Sequence, residues 1–396
     1  MAMTLSVIIP TRERAAYLPH CIRTCTANPD PDLEILVLDN ASVDDTAEAV
    51  ASVQDTRIRY VRNDFRLSMR DNFEKGLELA RGDIVCFIGD DDGLFPDAVS
   101  KALQIFKTKN IDALSAARAH YFWPDLVASR RNTALLPRHT GIEILSSKAM
   151  LGQLLAHCDY YRLPCLYHGF VRRNVAERVK QRQGRFFLSS QVDMFSSIAL
   201  SMEDINYAFS KSPLIINGGS ARSNGASHFG GGTDLEKTLW KKEDDLGFLP
   251  GFDGYLTVGS LIVESALRYC QTNCRADILA MLNRQLIEKA LTFEASQRVR
   301  VGRGKIENEK MFESVFLTPF VPSITAFPAT NSGSYIRAIT LIQKFYATRP
   351  VDMGVIGVKD IFGAAQKLSS LRHNGGVGFL NRPLSQIKAA FKMSQG

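Results

Sequence analysis

Along the chain up to Ala117, apolar residues fall into two alternating periods. Short runs that are apolar almost throughout occur at Leu5–Pro10, Glu34–Asp39, Asp83–Ile88 and Ala113–Ala117, and Arg57–Val61 has the pattern of a half-buried strand. Between them, apolar residues recur three or four apart: Leu18, Ile22 and Cys25 within 15–27, then Phe73, Leu77 and Ala80 within 68–80, then a helical pattern over 96–107 opened by Pro96. Continuous apolar runs predict strands covered on both faces, and the wider spacing predicts helices. Ser42 is placed to cap a helix running to about Val53, and Ser68 with Asp71 makes a capping-box-like start. Strands and helices alternating at this interval predict an α/β fold, a mostly parallel, doubly wound sheet. Right-handed crossovers then bring the strand ends to one edge.

From Arg118 the alternation fails. His120–Pro124 and the segment to Leu136 have an extended or hairpin pattern, in which Tyr121 and Trp123 either stack on a ligand ring or fill the core. Helical stretches follow around Ser146–His157 and Arg173–Gln183, with a strand-like run, Cys165–Val171, between them, and a further helix opens at about Gln191. Ser212–Gly232 starts as a strand and becomes rich in glycine and serine. It is either a linker or a mobile loop that carries Arg222, Asn224 and His228 toward a ligand. Beyond Asp234 the periods are helical, in 235–244, 256–272, 278–297 and 335–347. The expected division is a sheet domain over 1–232 and a mainly helical C-terminal domain over 233–396, in keeping with the length of the chain.

A formal net charge of +7 favours anionic partners without choosing among them. Basic residues are not interleaved with aromatics in one stripe, which argues against nucleic acid. The seven cysteines lack metal-ligand spacing and suit buried thiols in a reducing compartment. Nothing like a secretory leader precedes Leu5, and no apolar run approaches the roughly twenty residues that span a bilayer. A cytoplasmic protein is expected. Near the C-terminus, Leu384, Ile387 and Phe391 form an apolar stripe beside Lys388 and Lys392. That stripe either docks on the protein or rests peripherally on the inner face of an anionic membrane.

The candidate chemistry lies where the run Ile84–Ile88 stops at Gly89 and delivers Asp90, Asp91 and Asp92. Three neighbouring carboxylates repel one another and favour a hard cation, Mg²⁺ or Mn²⁺. The plainer alternative is a solvated acidic turn ahead of the next helix. In a parallel sheet, Pro10–Glu13 and Asp39 would end on the same edge, where ligands of open α/β sheets bind. The first strand carries no glycine-rich phosphate loop, so a bound diphosphate would need metal and cationic side chains.

Five segments in order and spacing resemble family 2 glycosyltransferases: Val7–Thr11, Val37–Thr46, Met69–Asn72, Ala80–Asp83 and Phe87–Asp92. The resemblance implies a GT-A fold and an inverting, metal-dependent transfer from a nucleotide-diphosphate sugar to a hydroxyl of a saccharide or lipid-linked glycan. It implies Asp91 as metal ligand, with Asp92 as an additional one or a helix-start residue, and Asp90 facing the donor. It also implies Pro10, Thr11, Arg12 and Glu13 lining the base pocket, Asp39 on the nucleobase or ribose, and Arg70 against the nucleotide. Arg222 is a candidate for the diphosphate. Asp193 matches the family's catalytic base, although Val192 stands where an acidic residue usually precedes it, and Gly89 replaces another usual aspartate. A nucleotidyltransferase and a non-catalytic nucleotide-sugar or glycan-binding module are the alternatives.

Overall fold

The computed structural model describes residues 3–126, 131–151, 162–223, 246–249, 258–275 and 348–373. Its centre is a sheet of eight strands: β1 (Leu5–Thr11), β2 (Leu33–Asp39), β3 (Ile58–Arg62), β4 (Ile84–Phe87), β6 (Ala113–Ala116), β9 (Ile142–Ser146), β10 (Gly169–Arg172) and β11 (Asn206–Ser210). They lie in the order β3-β2-β1-β4-β10-β6-β11-β9. The four strands from β3 to β4 are parallel, as the apolar runs predict. The other half is mixed, because β10 enters antiparallel between β4 and β6. The strand-like run from Cys165 is therefore shortened to Gly169–Arg172, entered through His168 with a left-handed backbone (φ 63°).

Period-two alternation gives each central strand two buried faces. In β1, Leu5, Val7 and Ile9 join one apolar core while Ile8 joins the other. In and just after β4, Ile84, Cys86 and Ile88 face the first core, and Val85 and Phe87 the second. Helices α1 (Leu18–Thr26), α2 (Thr46–Ala51) and α4 (Ala98–Thr108) supply the first core. Helices α3 (Met69–Leu79), α5 (Arg173–Gln183) and α6 (Val192–Ser201) supply the second. Fully burying a Leu, Ile or Phe side chain is worth roughly 1.5–3 kcal/mol, so both faces hold the sheet. Ser68 caps α3 as its spacing predicts, its hydroxyl accepting from the Asp71 backbone N–H at 3.1 Å. Ser42 does not cap α2. The helix starts later, at Thr46, and the Ser42 hydroxyl instead accepts from the Glu13 N–H at 2.8 Å.

A second sheet of five strands has the order β13-β8-β7-β12-β5; the sequence predicts its hairpin after His120 and its strand after Ser212, but not the sheet they form. It joins β5 (Gly93–Leu94), β7 (Ala119–Phe122), β8 (Thr133–Pro137), β12 (Ile215–Gly219) and β13 (Thr348–Asp352). The two residues of β5 directly follow the acidic turn and pair with β12. Alternation in β7 turns Tyr121 inward, and Trp123 just beyond it is likewise buried. Core packing, not sugar stacking, is their place.

Of the C-terminal region expected to be helical, α7 (Val258–Thr272) packs on α6, and α8 (Ile361–His373) packs on α1. Strand β13 pairs with β8, so this region also returns a strand to the second sheet. The expected boundary at residue 232, the helical patterns of 235–244, 278–297 and 335–347, Asn224, His228 and the basic stripe of 384–392 lie outside the described residues. Among the described residues there is no disulfide, and five of the six cysteines are buried. No described helix is long and apolar enough to cross a membrane.

Candidate active site

The carboxyl ends of β1, β2 and β4 form one rim. Thr11 closes β1 directly beside Asp39 at the end of β2, and its hydroxyl donates to Asp90 Oδ2 at 2.8 Å across the top of β4. Asp39 and the acidic turn therefore open onto the same edge. Two of the backbones that shape this edge, Glu13 (φ 54°) and Ala41 (φ 55°), lie in the left-handed region that few non-glycine residues adopt. Such strain concentrates at functional sites.

Asp39 is buried. Its Oδ1 accepts from the Ser42 N–H at 2.9 Å and its Oδ2 from the Tyr60 hydroxyl at 2.6 Å, with Arg62 Nε at 3.5 Å. Pro10, Arg12 and Glu13 are half-buried along the rim. Glu13 pairs with Arg66, and its carbonyl accepts from Arg222 Nη1 at 2.5 Å. Arg222 is exposed. Arg70 is buried in the first turn of α3 rather than solvated.

The three consecutive aspartates are all buried but differ in surroundings. Burial pushes the Asp90 carboxyl up to about 6, against the opposing pull of Arg14 and the Thr11 hydrogen bond. Asp91 is likewise raised, by burial first and by the charge of Asp92, while Arg14, Ser220 and Ser223 oppose the shift. The hydroxyls of Ser220 and Ser223 donate to Asp91 Oδ2 at 2.7 and 2.5 Å. Trp123 Nε1 donates to the Asp91 carbonyl at 3.0 Å.

Asp92 departs from its expected part as a metal ligand. Its Oδ2 accepts from the Gly89 N–H at 2.6 Å and the Tyr167 hydroxyl at 2.9 Å, and lies 2.6 Å from His168 Nε2. Its Oδ1 accepts from the Gly218 N–H at 2.7 Å. Burial works against ionisation here too, but His168 and these hydrogen bonds outweigh it and hold Asp92 below the usual carboxylate range. With both oxygens committed to protein donors, Asp92 ties the turn to β10 and β12.

Asp193 sits in the first turn of α6, half-buried, with Oδ1 accepting from the Met194 N–H at 2.8 Å. The Tyr167 phenol, which donates to Asp92 at the rim, senses the Asp193 charge. That phenol is held well above its usual value by burial first, then by the charges of Asp92 and Asp91, with Asp193 adding to them. The residues that sequence spacing does not single out are Arg14, Tyr60, Tyr167, His168, Ser220 and Ser223. All act through the rim aspartates, and only the convergence of distant segments reveals them.

Among the described residues, no three His, Cys, Asp or Glu side chains are grouped to hold a metal unaided. Asp90 and Asp91 do share one cationic neighbour, since Arg14 Nη1 lies 3.3 Å from Asp90 Oδ1 and 3.8 Å from Asp91 Oδ2. Mg²⁺ characteristically takes one or two protein carboxylates and completes its shell with phosphate oxygens and water. The residues present therefore fit a divalent ion that arrives with a diphosphate.

The mixed α/β fold with a large central sheet and carboxylates at its strand ends is that of the GT-A class. Residues 6–171 match the family model described as Glycosyl transferase family 2. The chain is 39% identical over 103 residues to the GalNAc(5)-diNAcBac-PP-undecaprenol beta-1,3-glucosyltransferase of Campylobacter jejuni, a match covering 25% of this chain and 33% of that protein. It is 32% identical over 114 residues to an uncharacterized protein of Mycobacterium tuberculosis, covering 29% and 36% respectively. The chain thus spans about a third of the length of these curated relatives. The crystal structure of S. aureus TarS 1–349 in complex with UDP-GlcNAc superposes with a TM-score of 0.52 at 13% identity, covering 79% of each chain, a likeness of fold.

Proposed function

We propose that the protein is an inverting glycosyltransferase that moves a sugar from a nucleoside-diphosphate donor to a hydroxyl of a saccharide or lipid-linked glycan. The observation that carries this reading is the joining of Thr11, Asp39 and the acidic turn on one rim within the family-matched segment. Asp39, the buried Thr11 and the half-buried Pro10, Arg12 and Glu13 bound the nucleoside side of the rim. Asp91, with Asp90, would hold Mg²⁺ or Mn²⁺ against the diphosphate. A divalent ion so held offsets charge that develops on the leaving diphosphate. Asp193 takes the proton of the acceptor hydroxyl, a role open to a half-buried carboxylate in the first turn of α6. The lipid-linked acceptor rests on the Campylobacter relative, whose name states such an acceptor. A cytoplasmic protein working at the inner membrane face fits that acceptor.

The test is transfer from a panel of nucleoside-diphosphate sugars, followed by release of the nucleoside diphosphate and by NMR of the product's anomeric proton. An inverted anomeric configuration supports the proposal, and a retained one contradicts it. Asp193→Asn should lower kcat by about 10²–10⁴-fold. Undiminished transfer by that variant would remove Asp193 as the base.

A further inference from the structure

Arg14 is the cation that the rim aspartates already share. Its Nη1 stands 3.3 Å from Asp90 Oδ1 and 3.8 Å from Asp91 Oδ2. The remaining Asp90 oxygen is taken by Thr11, and Asp91 Oδ2 also receives the Ser220 and Ser223 hydroxyls. Nη2 of Arg14 donates to the Arg222 carbonyl, and Arg222 in turn donates to the Glu13 carbonyl. Arg14 therefore crosslinks three things: the loop after β1, the acidic turn, and residues 220–223 that follow β12. It follows Glu13, whose left-handed backbone turns the chain at this point. Its side chain is 13% exposed, so its charge is only lightly screened by solvent.

We propose that Arg14 is a tethered counter-cation that neutralises Asp90 and Asp91 when no donor is bound and is exchanged for the divalent ion when the donor arrives. This rests on the donor-site reading above and adds an order of events to it. A divalent ion and a guanidinium repel one another at a pair of carboxylates that cannot serve both. A diphosphate resolves the conflict, because it binds the ion and also offers the guanidinium a bidentate partner. The ion alone is then a poor ligand, and the ion with the nucleotide is a good one. Exchange also releases the Arg222 carbonyl, so the hold on residues 220–223 loosens in the same step.

The claim predicts an effect of unusual sign. Removing a positive charge from within about 4 Å of a cation site should tighten the ion, on the order of tenfold. The experiment is Mn²⁺ binding to the full chain by electron paramagnetic resonance, alone and with UDP or GDP, for the unmodified protein, Arg14→Gln and Arg14→Lys. Arg14→Gln should bind Mn²⁺ alone about tenfold more tightly, and the nucleotide at saturating Mn²⁺ about tenfold more weakly. Arg14→Lys keeps the charge but loses the planar fork, so it should leave Mn²⁺ unchanged and weaken only the nucleotide. It carries the test should Arg14→Gln fail to fold. Equal or weaker Mn²⁺ binding by Arg14→Gln overturns the exchange while leaving the donor site standing. For Arg14→Lys, a nucleotide affinity equal to that of the unmodified protein does the same. Absence of Mn²⁺ binding by all three proteins, even with nucleotide, overturns the donor-site reading and the exchange together.

Discussion

The two sheets meet at the acidic turn and contribute opposite things to it. The eight-stranded sheet brings acids: Asp39 from β2 and Asp90 to Asp92 from the end of β4. The five-stranded sheet brings what holds them, namely the Gly218 N–H of β12, the Ser220 hydroxyl just beyond it, and the buried Trp123 at the end of β7. The consequence shows in adjacent residues. Asp90 is pushed up to about 6 with only Thr11 and the replaceable cation Arg14 beside it, whereas Asp92 is held below its usual range by a full set of donors. A run of three carboxylates is thus one anchored residue and two that are poised. Anchoring comes from the second sheet and from His168.

If that contrast is right, the largest loss of stability should follow from Asp92→Asn. An amide cannot accept from all four donors, and it leaves His168 beside a neutral group. Breaking a buried pair of this kind costs roughly 3–5 kcal/mol, measurable by urea unfolding. A loss below about 0.5 kcal/mol, the range of ordinary surface changes, would break the contrast.

Gly218→Ala comes next. A Cβ there would stand 1.8 Å from the Asp91 carbonyl oxygen, so the turn or β12 has to move. Overpacking of this kind costs about 1–3 kcal/mol. Because the displaced atom belongs to Asp91, donor affinity should fall with stability. Equal donor binding at reduced stability would show that β12 supports the fold without setting the turn.

The smallest effect belongs to the outer brace. From α8, Arg372 pairs with both oxygens of Asp97, donates to the Pro213 carbonyl at 2.8 Å and lies over the Phe95 ring at 4.6 Å. Arg372→Ala should cost about 1–2 kcal/mol. It also carries a pH signature. Burial alone would raise Asp97, but hydrogen bonds from Arg372 and Lys101 hold it below the ordinary 3.8. A carboxylate depressed on folding adds stability above its unfolded pKa, and that stability is lost as pH falls through the folded value. The difference between the unmodified protein and Arg372→Ala should therefore be full at neutral pH and shrink below about pH 4. A difference independent of pH would assign the loss to packing alone.

The same division governs what the sequence makes legible. Strands β1 to β4 and their helices follow one another along the chain, so local period and crossover handedness were enough to place Asp39 and Asp90–Asp92 on one rim. The second sheet pairs residues as remote as Thr133 and Asp352. Its strands are four or five residues long, or two in β5, and beyond the β7–β8 hairpin no local pattern announces their partners. For that reason Asp92 resembled a second ligand, and Tyr121 and Trp123 remained open between core and sugar. Ser42 looked like a cap because its neighbours are polar, and its actual partner, the Glu13 N–H, is supplied by another strand's loop. Nothing in the residue order around His168 marks it, since its part is defined by Asp92 alone.

The central claim is that Asp91, beside Asp90, presents a divalent ion to a diphosphate. Melting temperatures of the full chain with nucleoside diphosphates, with and without Mn²⁺, test it most directly, since ligands of the folded state raise stability by mass action. Nucleotide and Mn²⁺ together should raise the melting temperature beyond either one alone, and Asp91→Asn should abolish that joint increment. An increment that needs no metal, or one that survives undiminished in Asp91→Asn, would contradict the account.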